Sequence, residues 1–231
     1  MSPGVFVTGT DTGVGKTLCA CALIHALVNR GLDVMPMKPV AAGAVVHAGS
    51  WANEDTIALL RAAGRDEARA ADANPVLLRE PMAPHIAAAR ERRVITLAPI
   101  LEALERARST ADFVVVEGVG GYRVPLSDSL DTVDMARGIG LPVVLVVGLR
   151  LGCLNHALLT AGAIRASGLP LAGWIANAID PSMAVPDENV EALRERLGAP
   201  LLGRLPHEAK PIAPAMARRL DVSSLLGERG A

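Results

Sequence analysis

The residues that could do chemistry begin in the stretch GTDTGVGKT, residues 9–17, which combines three glycines, three threonines, an aspartate and a lysine. Gly13 and Gly15 would let backbone N–H groups turn inward around an anion. Lys16 could reach terminal phosphates, and the Thr17 hydroxyl could bind Mg²⁺. The spacing departs slightly from G-x-x-x-x-G-K-[ST], because a threonine holds the first glycine position. The stretch predicts a phosphate-binding loop; a glycine-rich turn with an incidental lysine is the alternative.

Two carboxylates and a second lysine could complete such a site. Glu117 closes the apolar run FVVVEG, Asp55 lies in ANEDTIALL at a helix start, and Lys38 lies in MKPVAAG. Carboxylates complete the coordination of Mg²⁺ on a triphosphate, and the lysine would point an ammonium at phosphates or substrate. Each has a structural alternative: a polar strand end for Glu117, a helix-dipole contact for Asp55 and a solvated strand end for Lys38.

These residues follow short apolar runs that alternate with helical patterns. The predicted strands are residues 5–8, 34–40, 113–118, 142–148, 171–177 and 200–205. The predicted helices are residues 16–31, 54–64, 96–108, 155–168 and 187–198, four of them closed by a glycine. The alternation predicts an α/β fold, a mainly parallel, doubly wound sheet flanked by helices, with ligands at the carboxyl edge of the sheet. The glycine-rich residues 118–121 then indicate a second place where the backbone comes close to another group, or they form only a flexible turn.

Composition narrows the class of protein. The 231 residues suit one domain, residues 1–231. With 23 Lys and Arg against 24 Asp and Glu, the net charge of −1 argues against nucleic acid and anionic membranes as partners. The apolar run LPVVLVVG is too short to span a bilayer, so we expect a cytoplasmic protein with no membrane partner. Cys19, Cys21 and Cys153 are predicted to be buried apolar residues rather than disulfides or zinc ligands.

Five motifs, VTGTDTGVGKT, KPVAAG, VEGVGG, LGCLNHALLT and GWIAN, together resemble the dethiobiotin synthetase family of the P-loop NTPase superfamily. The first motif is widespread, whereas LGCLNHALLT beside KPV and EGVGG is specific to few proteins. The resemblance covers nearly the whole chain. It implies a homodimeric enzyme that converts 7,8-diaminononanoate, CO₂ (or bicarbonate) and ATP into dethiobiotin, ADP and phosphate, with Mg²⁺ as cofactor.

The resemblance also implies roles for individual residues. ATP would be bound by Gly13, Val14, Gly15, Lys16, Thr17, Leu18, Asp55, Glu117, Gly118, Val119, Gly120, Asn177, Ala178, Pro206, His207 and Glu208. Asn177 would read the adenine edge, and residues 206–208 would line the base. Thr17, Asp55 and Glu117 would bind Mg²⁺, while Thr12, Lys16 and Lys38 would face the reacting groups. The substrate would be bound by Lys38, Ala42, Gly120, Gly152, Cys153, Leu154 and Asn155, the last four at a helix start across the dimer interface.

Two positions depart from the family pattern. Many relatives have Ser or Thr where Ala42 stands, so a hydroxyl contact is missing or replaced. Some have Glu where Gly13 stands, so any role of that acid does not carry over. Two positions also have a structural alternative, with Asn155 as a helix N-cap and His156 as a first-turn residue.

The implied chemistry needs no covalent nucleophile, which agrees with the absence of a Ser/His/Asp pattern. It needs cations around a transferring phosphoryl group and exact placement of two reactants. A partitioning or septum-site ATPase is the main alternative, but it would carry a lysine where Asp11 stands and usually an amphipathic tail, which residues 216–231 do not clearly provide. An amidase-coupled ligase would need a glutaminase domain, for which no room remains.

Overall fold

The computed structural model describes residues 3–227. Its strands are β1 (Gly4–Gly9), β2 (Val34–Met37), β3 (Val40–Ala42), β4 (Val45–His47), β5 (Ser50–Ala52), β6 (Val76–Leu78), β7 (Phe113–Glu117), β8 (Val143–Leu149), β9 (Leu171–Ala178) and β10 (Leu201–Leu205). Its α-helices are α1 (Lys16–Val28), α2 (Glu54–Ala62), α3 (Ala70–Ala73), α4 (Pro84–Arg90), α5 (Ala98–Ser109), α6 (Thr132–Ile139), α7 (Cys153–Ala166), α8 (Pro186–Leu197) and α9 (Ala213–Ala217). The predicted boundaries of the domain, residues 1–231, also include residues 1–2 and 228–231, which lie outside this range.

The central sheet has the strand order β10-β9-β8-β1-β7-β2, and every pairing in it is parallel. The chain leaves β1 toward β2 on one side, and later crosses from β7 to β8 on the other side of β1. The carboxyl end of β1 therefore lies where the direction of winding changes, which is where doubly wound sheets bind ligands.

Both faces of this sheet are covered by helices. Along β7, Val114 and Val116 pack on one face with α5, α6, α7 and α8, while Phe113 and Val115 pack on the other with α1, α2 and α9. Strands buried on both sides must be apolar throughout, which explains the continuous apolar runs in the sequence. The predicted α/β, doubly wound, mainly parallel fold is confirmed.

The predicted helices are also confirmed, with ends that differ by a few residues. Gly31, Gly64, Gly168 and Gly198, predicted to close four of them, all have positive φ. This left-handed conformation is favourable for glycine and ends a helix. A further helix, α6, was not predicted; a capping box between Asp131 and Asp134 begins it.

The predicted strand 34–40 is wrong at its end. Lys38 and Pro39 interrupt it, since proline has no N–H to donate to a neighbouring strand. After this break, β3 leaves the central sheet and pairs in parallel with β6, and β4 and β5 form a small antiparallel hairpin. The side sheet of β3 and β6 was not predicted, and it forms part of the site described below.

Two smaller expectations can be compared directly with the structure. Cys19, Cys21 and Cys153 are free and buried, as predicted. Burial, with nearby Glu117, raises the thiol pKa of Cys19 and Cys21, that of Cys21 to about 12, so these thiols stay protonated. Among residues 3–227, no helix is both long and apolar enough to cross a membrane.

Candidate active site

The phosphate-binding loop, residues 9–17, joins β1 to α1 at the carboxyl edge of the sheet. Gly13 and Gly15 have φ of 76° and 82°, so both adopt the left-handed conformation that the loop requires. Gly15 is the N-cap of α1, and no side chain caps this helix. The first N–H groups of α1 are thus available to an anion, and the helix dipole favours negative charge there.

Lys16 lines the cavity formed at this loop and is only 8% exposed. Its Nζ donates to the Asp11 carbonyl oxygen at 2.8 Å, which ties the ammonium to the loop backbone. Burial lowers the pKa of Lys16, although the charge of Glu117 opposes this effect. A desolvated cation held in this position is suited to interact with phosphate oxygens.

Glu117 ends β7 beside this loop and is fully buried. Its Oε1 accepts a hydrogen bond from Thr17 Oγ1 at 3.0 Å and from Lys38 Nζ at 2.5 Å. Lys38 Nζ also lies 3.0 Å from Asp55 Oδ2 and donates to the Gly118 carbonyl oxygen at 3.2 Å. The structure therefore brings together the three predicted metal ligands and the predicted catalytic Lys38.

The charges of this cluster stabilise one another. Burial alone would lower the pKa of Lys38, but Glu117 and Asp55 together raise it above its ordinary value. Burial would likewise raise the pKa of Asp55, but Lys38 and a hydrogen bond from Thr17 lower it. Lys38 is therefore a cation and Asp55 an anion near neutral pH. The structural alternatives for Lys38 and Glu117, solvated strand ends, are wrong because both side chains are buried.

The cluster also has unused coordinating capacity. Glu117 Oε2 is buried and has no hydrogen-bond partner among the described residues, which would be costly unless another group bound it. A hydroxyl and two carboxylates are hard oxygen ligands that suit Mg²⁺, which usually takes few protein ligands besides water and phosphate. In residues 3–227, no group of three or more His, Cys, Asp and Glu forms a dedicated metal cage. The residues present fit Mg²⁺ bound together with a polyphosphate.

These groups line a cavity of about 680 Å³. The predicted site residues that line it are Thr12, Gly13, Gly15, Lys16, Thr17, Lys38, Ala42, Asp55, Glu117, Val119 and Gly120. The rest of the lining was not predicted from the sequence, and it consists of Ala41, Asn53, Pro81, Met82, Ala83, Pro84 and Val124. The missed residues are mostly apolar, and together with Ala42 they form an apolar wall of the cavity.

Residues 81–84 reach the cavity because the side sheet holds them there. The Gly43 N–H donates to the Leu78 carbonyl oxygen at 3.0 Å, and the Ala44 N–H donates to the Arg79 carbonyl oxygen at 2.9 Å. Two prolines around Met82 could have signalled a fixed loop, but the three-residue strand β6 that precedes them has too short a pattern to predict. Ala42 lies on this wall, so the position without a hydroxyl belongs to an apolar surface.

Other predicted nucleotide residues lie outside the cavity lining. The side chains of Val14 and Leu18 pack into the core, so only their backbone could contact a phosphate. Asn177 is buried, and its Nδ2 donates to the Val14 carbonyl oxygen at 2.9 Å. Residues 206–208 form an exposed segment after β10, and Ala178 is the last residue of β9.

The predicted carboxylate-binding residues 152–155 also lie outside the cavity lining, at the start of α7. Gly152 is the N-cap with φ of 93°, which corrects the alternative that Asn155 is the cap. Asn155 is the third helical residue, and its side chain is exposed. Cys153 is buried, and its N–H donates to the Arg150 carbonyl oxygen at 3.0 Å. The N–H groups of Leu154 and Asn155 lie in the first turn, where a helix leaves its donors without intrahelical partners.

Comparison with known proteins identifies the family. The AAA domain family matches residues 3–215. An ATP-dependent dethiobiotin synthetase from Aromatoleum aromaticum is 59% identical over 204 residues, covering 88% of this chain and 90% of the relative. The chain belongs to the dethiobiotin synthetase family. An ATP-dependent dethiobiotin synthetase from Ralstonia nicotianae is also similar, with 55% identity over 221 residues that cover 96% of each chain.

Solved structures with much lower sequence identity have the same fold. A ParA family ATPase from Chlorobium tepidum has a TM-score of 0.55 at 16% identity, covering 98% of this chain and 90% of that one. The septum site-determining protein MinD from Pyrococcus horikoshii, complexed with Mg-ADP, has a TM-score of 0.54 at 17% identity, covering 90% of this chain and 82% of that one. At these identities the likeness shows a shared fold and does not assign a function.

Proposed function

We propose that the chain is a ligase that converts 7,8-diaminononanoate, CO₂ and ATP into dethiobiotin, ADP and phosphate. The observation that carries the proposal is the grouping of Lys16, Lys38, Thr17 and two carboxylates around one cavity, in a chain 55–59% identical to named dethiobiotin synthetases. The apolar wall of the cavity suits the hydrocarbon part of the diamine.

On the nucleotide side, backbone N–H groups of residues 13–18 would bind the phosphates of ATP, with Lys16 at their terminal oxygens. Mg²⁺, held by Thr17, Asp55 and Glu117, would neutralise charge on the phosphates when bound. The adenine would lie toward Asn177, Ala178 and residues 206–208, while the backbone of residues 118–120 would border the triphosphate.

On the substrate side, one amine of the diamine adds CO₂ to form a carbamate. A carbamate oxygen then attacks the γ-phosphorus, which releases ADP and leaves a mixed anhydride. The second amine attacks the carbonyl carbon of that anhydride, so phosphate leaves and the cyclic urea forms; each C–N bond formation releases a proton. Thr12, Lys16 and Lys38 would face these groups and stabilise the charge on the transferring phosphoryl group.

Lys38 has a further part in this proposal. In the structure its ammonium neutralises Glu117 and Asp55, the carboxylates proposed to hold the metal. Bound Mg²⁺ would supply that positive charge, and the Lys38 ammonium would then be available to the carbamate and the γ-phosphate. Gly120 and Ala42 would lie beside the diamine.

We also propose a homodimer in the cytoplasm, with the start of α7 binding the carboxylate of the neighbouring subunit's substrate. Exposed leucines at α7 support the dimer, because Leu151, just before the helix, is 94% exposed and Leu159, within the helix, is 67% exposed. A Cβ atom on Gly162, in the same helix, would meet no other atom within 4 Å, so another helix could approach closely there. The free cysteines suit a reducing compartment.

The direct test measures ADP release with ATP and Mg²⁺, with and without diaminononanoate and bicarbonate. The proposal predicts fast release only when both co-substrates are present, together with formation of dethiobiotin. ATP hydrolysis that ignores both co-substrates would contradict it. A response to lipid or to a protein partner would favour a switch ATPase instead.

A further inference from the structure

Asn177 stands near the end of β9, inside the central sheet. It is paired with Gly148 of β8 on one side and Leu205 of β10 on the other, and only 4% of it is exposed. A buried amide side chain is stable only if its polar atoms find partners. The partner of its Nδ2 group is the Val14 carbonyl oxygen, 2.9 Å away and 163 positions earlier in the chain. This contact links the sheet directly to the phosphate-binding loop.

The two loop residues above Asn177 fit closely against it. A Cβ atom on Gly15 would lie 2.2 Å from Asn177 Nδ2, so a side chain at position 15 would collide with the amide. The Val14 side chain is buried, and Cβ atoms on Gly9 or Gly148 would approach it within 2.7 Å and 2.9 Å. Three contacts therefore fix the peptide group between Val14 and Gly15. They are the hydrogen bond to the Val14 carbonyl oxygen, the packing of the Val14 side chain, and the close approach of Gly15 to Asn177.

The direction of this peptide matters for phosphate binding. In a trans peptide the carbonyl of one residue and the N–H of the next point in opposite directions. Because the Val14 carbonyl points down to Asn177, the Gly15 N–H points away from the sheet. Gly15 lines the cavity, so this N–H is placed for an anion.

We infer that Asn177 is a positioning residue that orients the Val14–Gly15 peptide so that the Gly15 N–H can bind phosphate. This role goes beyond the proposed reading of the adenine edge, and it rests on the proposed binding of ATP by the loop. Nδ2 carries two hydrogens, so one can bind the Val14 carbonyl oxygen while the other N–H and Oδ1 stay available for a contact with adenine.

The test compares two ligands, MgATP and magnesium tripolyphosphate, which has the phosphates without the base. Asn177→Ala removes the amide without adding a charge near the phosphates. A positioning role predicts that both ligands bind more weakly by a similar factor, about 3- to 30-fold for the loss of one oriented hydrogen bond and the freedom that the loop gains. A role in reading adenine alone predicts weaker ATP binding with unchanged tripolyphosphate binding, and this result would overturn the inference.

Two controls make the comparison decisive. His207→Ala changes the exposed segment beyond β10 and should leave tripolyphosphate binding unchanged. Thermal melting without ligand shows whether Asn177→Ala stays folded, and a lower melting temperature with normal tripolyphosphate affinity would also overturn the inference. If Asn177→Ala does not fold, Asn177→Ser keeps a donor on a smaller side chain and is compared in the same way. A wild-type chain that binds neither ligand would instead contradict the proposed function.

Gly15→Ala supplies a second, independent readout. In the wild-type background the new methyl group would collide with Asn177, whereas in the Asn177→Ala background that collision is absent. The inference predicts that Gly15→Ala reduces tripolyphosphate affinity by a smaller factor in the second background. An equal factor in both backgrounds would show that Asn177 does not act through this peptide.

Discussion

The two sides of the cavity are built from different parts of the fold. The nucleotide side, residues 12–17 with Glu117, stands on β1 and β7 at the centre of the main sheet. The proposed substrate side consists of Ala41, Ala42 and residues 81–84, which stand on the side sheet and the loops around it, and of Val124 from the segment between β7 and α6. The nucleotide side carries buried charges held by hydrogen bonds, and the substrate side carries small apolar side chains. Binding and transfer of phosphate require charged groups and backbone N–H groups at fixed positions. The shape of a substrate can instead be matched by loops that a rigid scaffold holds in place.

Removing the cation of the nucleotide side should have the largest effect. Lys16→Ala should lower turnover by about 10²-fold or more if, as proposed, the ammonium stabilises the transferring phosphoryl group. Steady-state ADP release measures the loss, and a thermal melt checks that the variant stays folded. A folded Lys16→Ala enzyme with near-normal turnover would contradict the assignment of the loop.

The start of α7, proposed to bind the substrate carboxylate of the neighbouring subunit, should respond differently. Asn155→Ala should weaken diaminononanoate binding by roughly 1.5–3 kcal/mol, about 10- to 150-fold, while ATP binding stays nearly intact, because one hydrogen bond to a charged group is lost. Calorimetry with each ligand separates the two effects. Thr160→Ala, which removes only a hydroxyl bonded to the backbone of the same helix, is the matched control. Equal weakening of ATP binding would contradict a role of Asn155 that is confined to the substrate.

The metal site should show a smaller effect that depends on concentration. Glu117→Gln keeps the shape of the side chain but removes its charge, so the Mg²⁺ concentration for half-maximal activity should rise by about 10-fold or more. Glu54→Gln, an exposed change of the same kind at the start of α2, should leave the titration unchanged. If Glu117→Gln also leaves it unchanged, Glu117 does not hold the metal.

The smallest effect concerns pH. Burial lowers the pKa of Lys16 below its ordinary value of 10.5, so this ammonium loses its proton at lower pH than an exposed lysine does. Since the charged form attracts phosphate, ADP affinity should fall as the pH rises toward that lowered pKa. Calorimetry across the alkaline range measures the decline, and Lys16→Ala should flatten it. An identical decline in Lys16→Ala would assign it to another group.

The sequence predicts the nucleotide side better than the substrate side, for physical reasons. Strands buried on both faces give continuous apolar runs, and a loop that needs positive φ at Gly13 and Gly15 must contain glycine there. Both signals are local. The strand order and the parallel register were not predicted in detail, because they depend on packing between distant segments.

The substrate side lacks such local signals. The strands β3 and β6 have three residues each, too few to show a period, and α4 follows them in a segment with no clear pattern. Residues 81–84 reach the cavity only through the pairing of those short strands. The contact of Lys38 with both carboxylates was also missed, because it joins β2, β7 and α2 across long stretches of sequence.

Mixed dimers test most directly the proposal that two subunits complete one working site, with the cavity of one chain binding ATP and the start of α7 of its neighbour binding the substrate carboxylate. Asn155→Ala would impair the start of α7, and Lys16→Ala would impair the nucleotide side of its own chain. Lys16 is preferred to Lys38 here, because removing Lys38 would leave Glu117 buried without its cation. In a dimer with one chain of each kind, half of the sites combine an intact Lys16 with an intact Asn155 from the neighbour. Neither mutant homodimer has such a site. Mixing and reassembling the chains should therefore restore activity above that of either parent. Properly formed mixed dimers that are as inactive as their parents would contradict a site shared between two subunits.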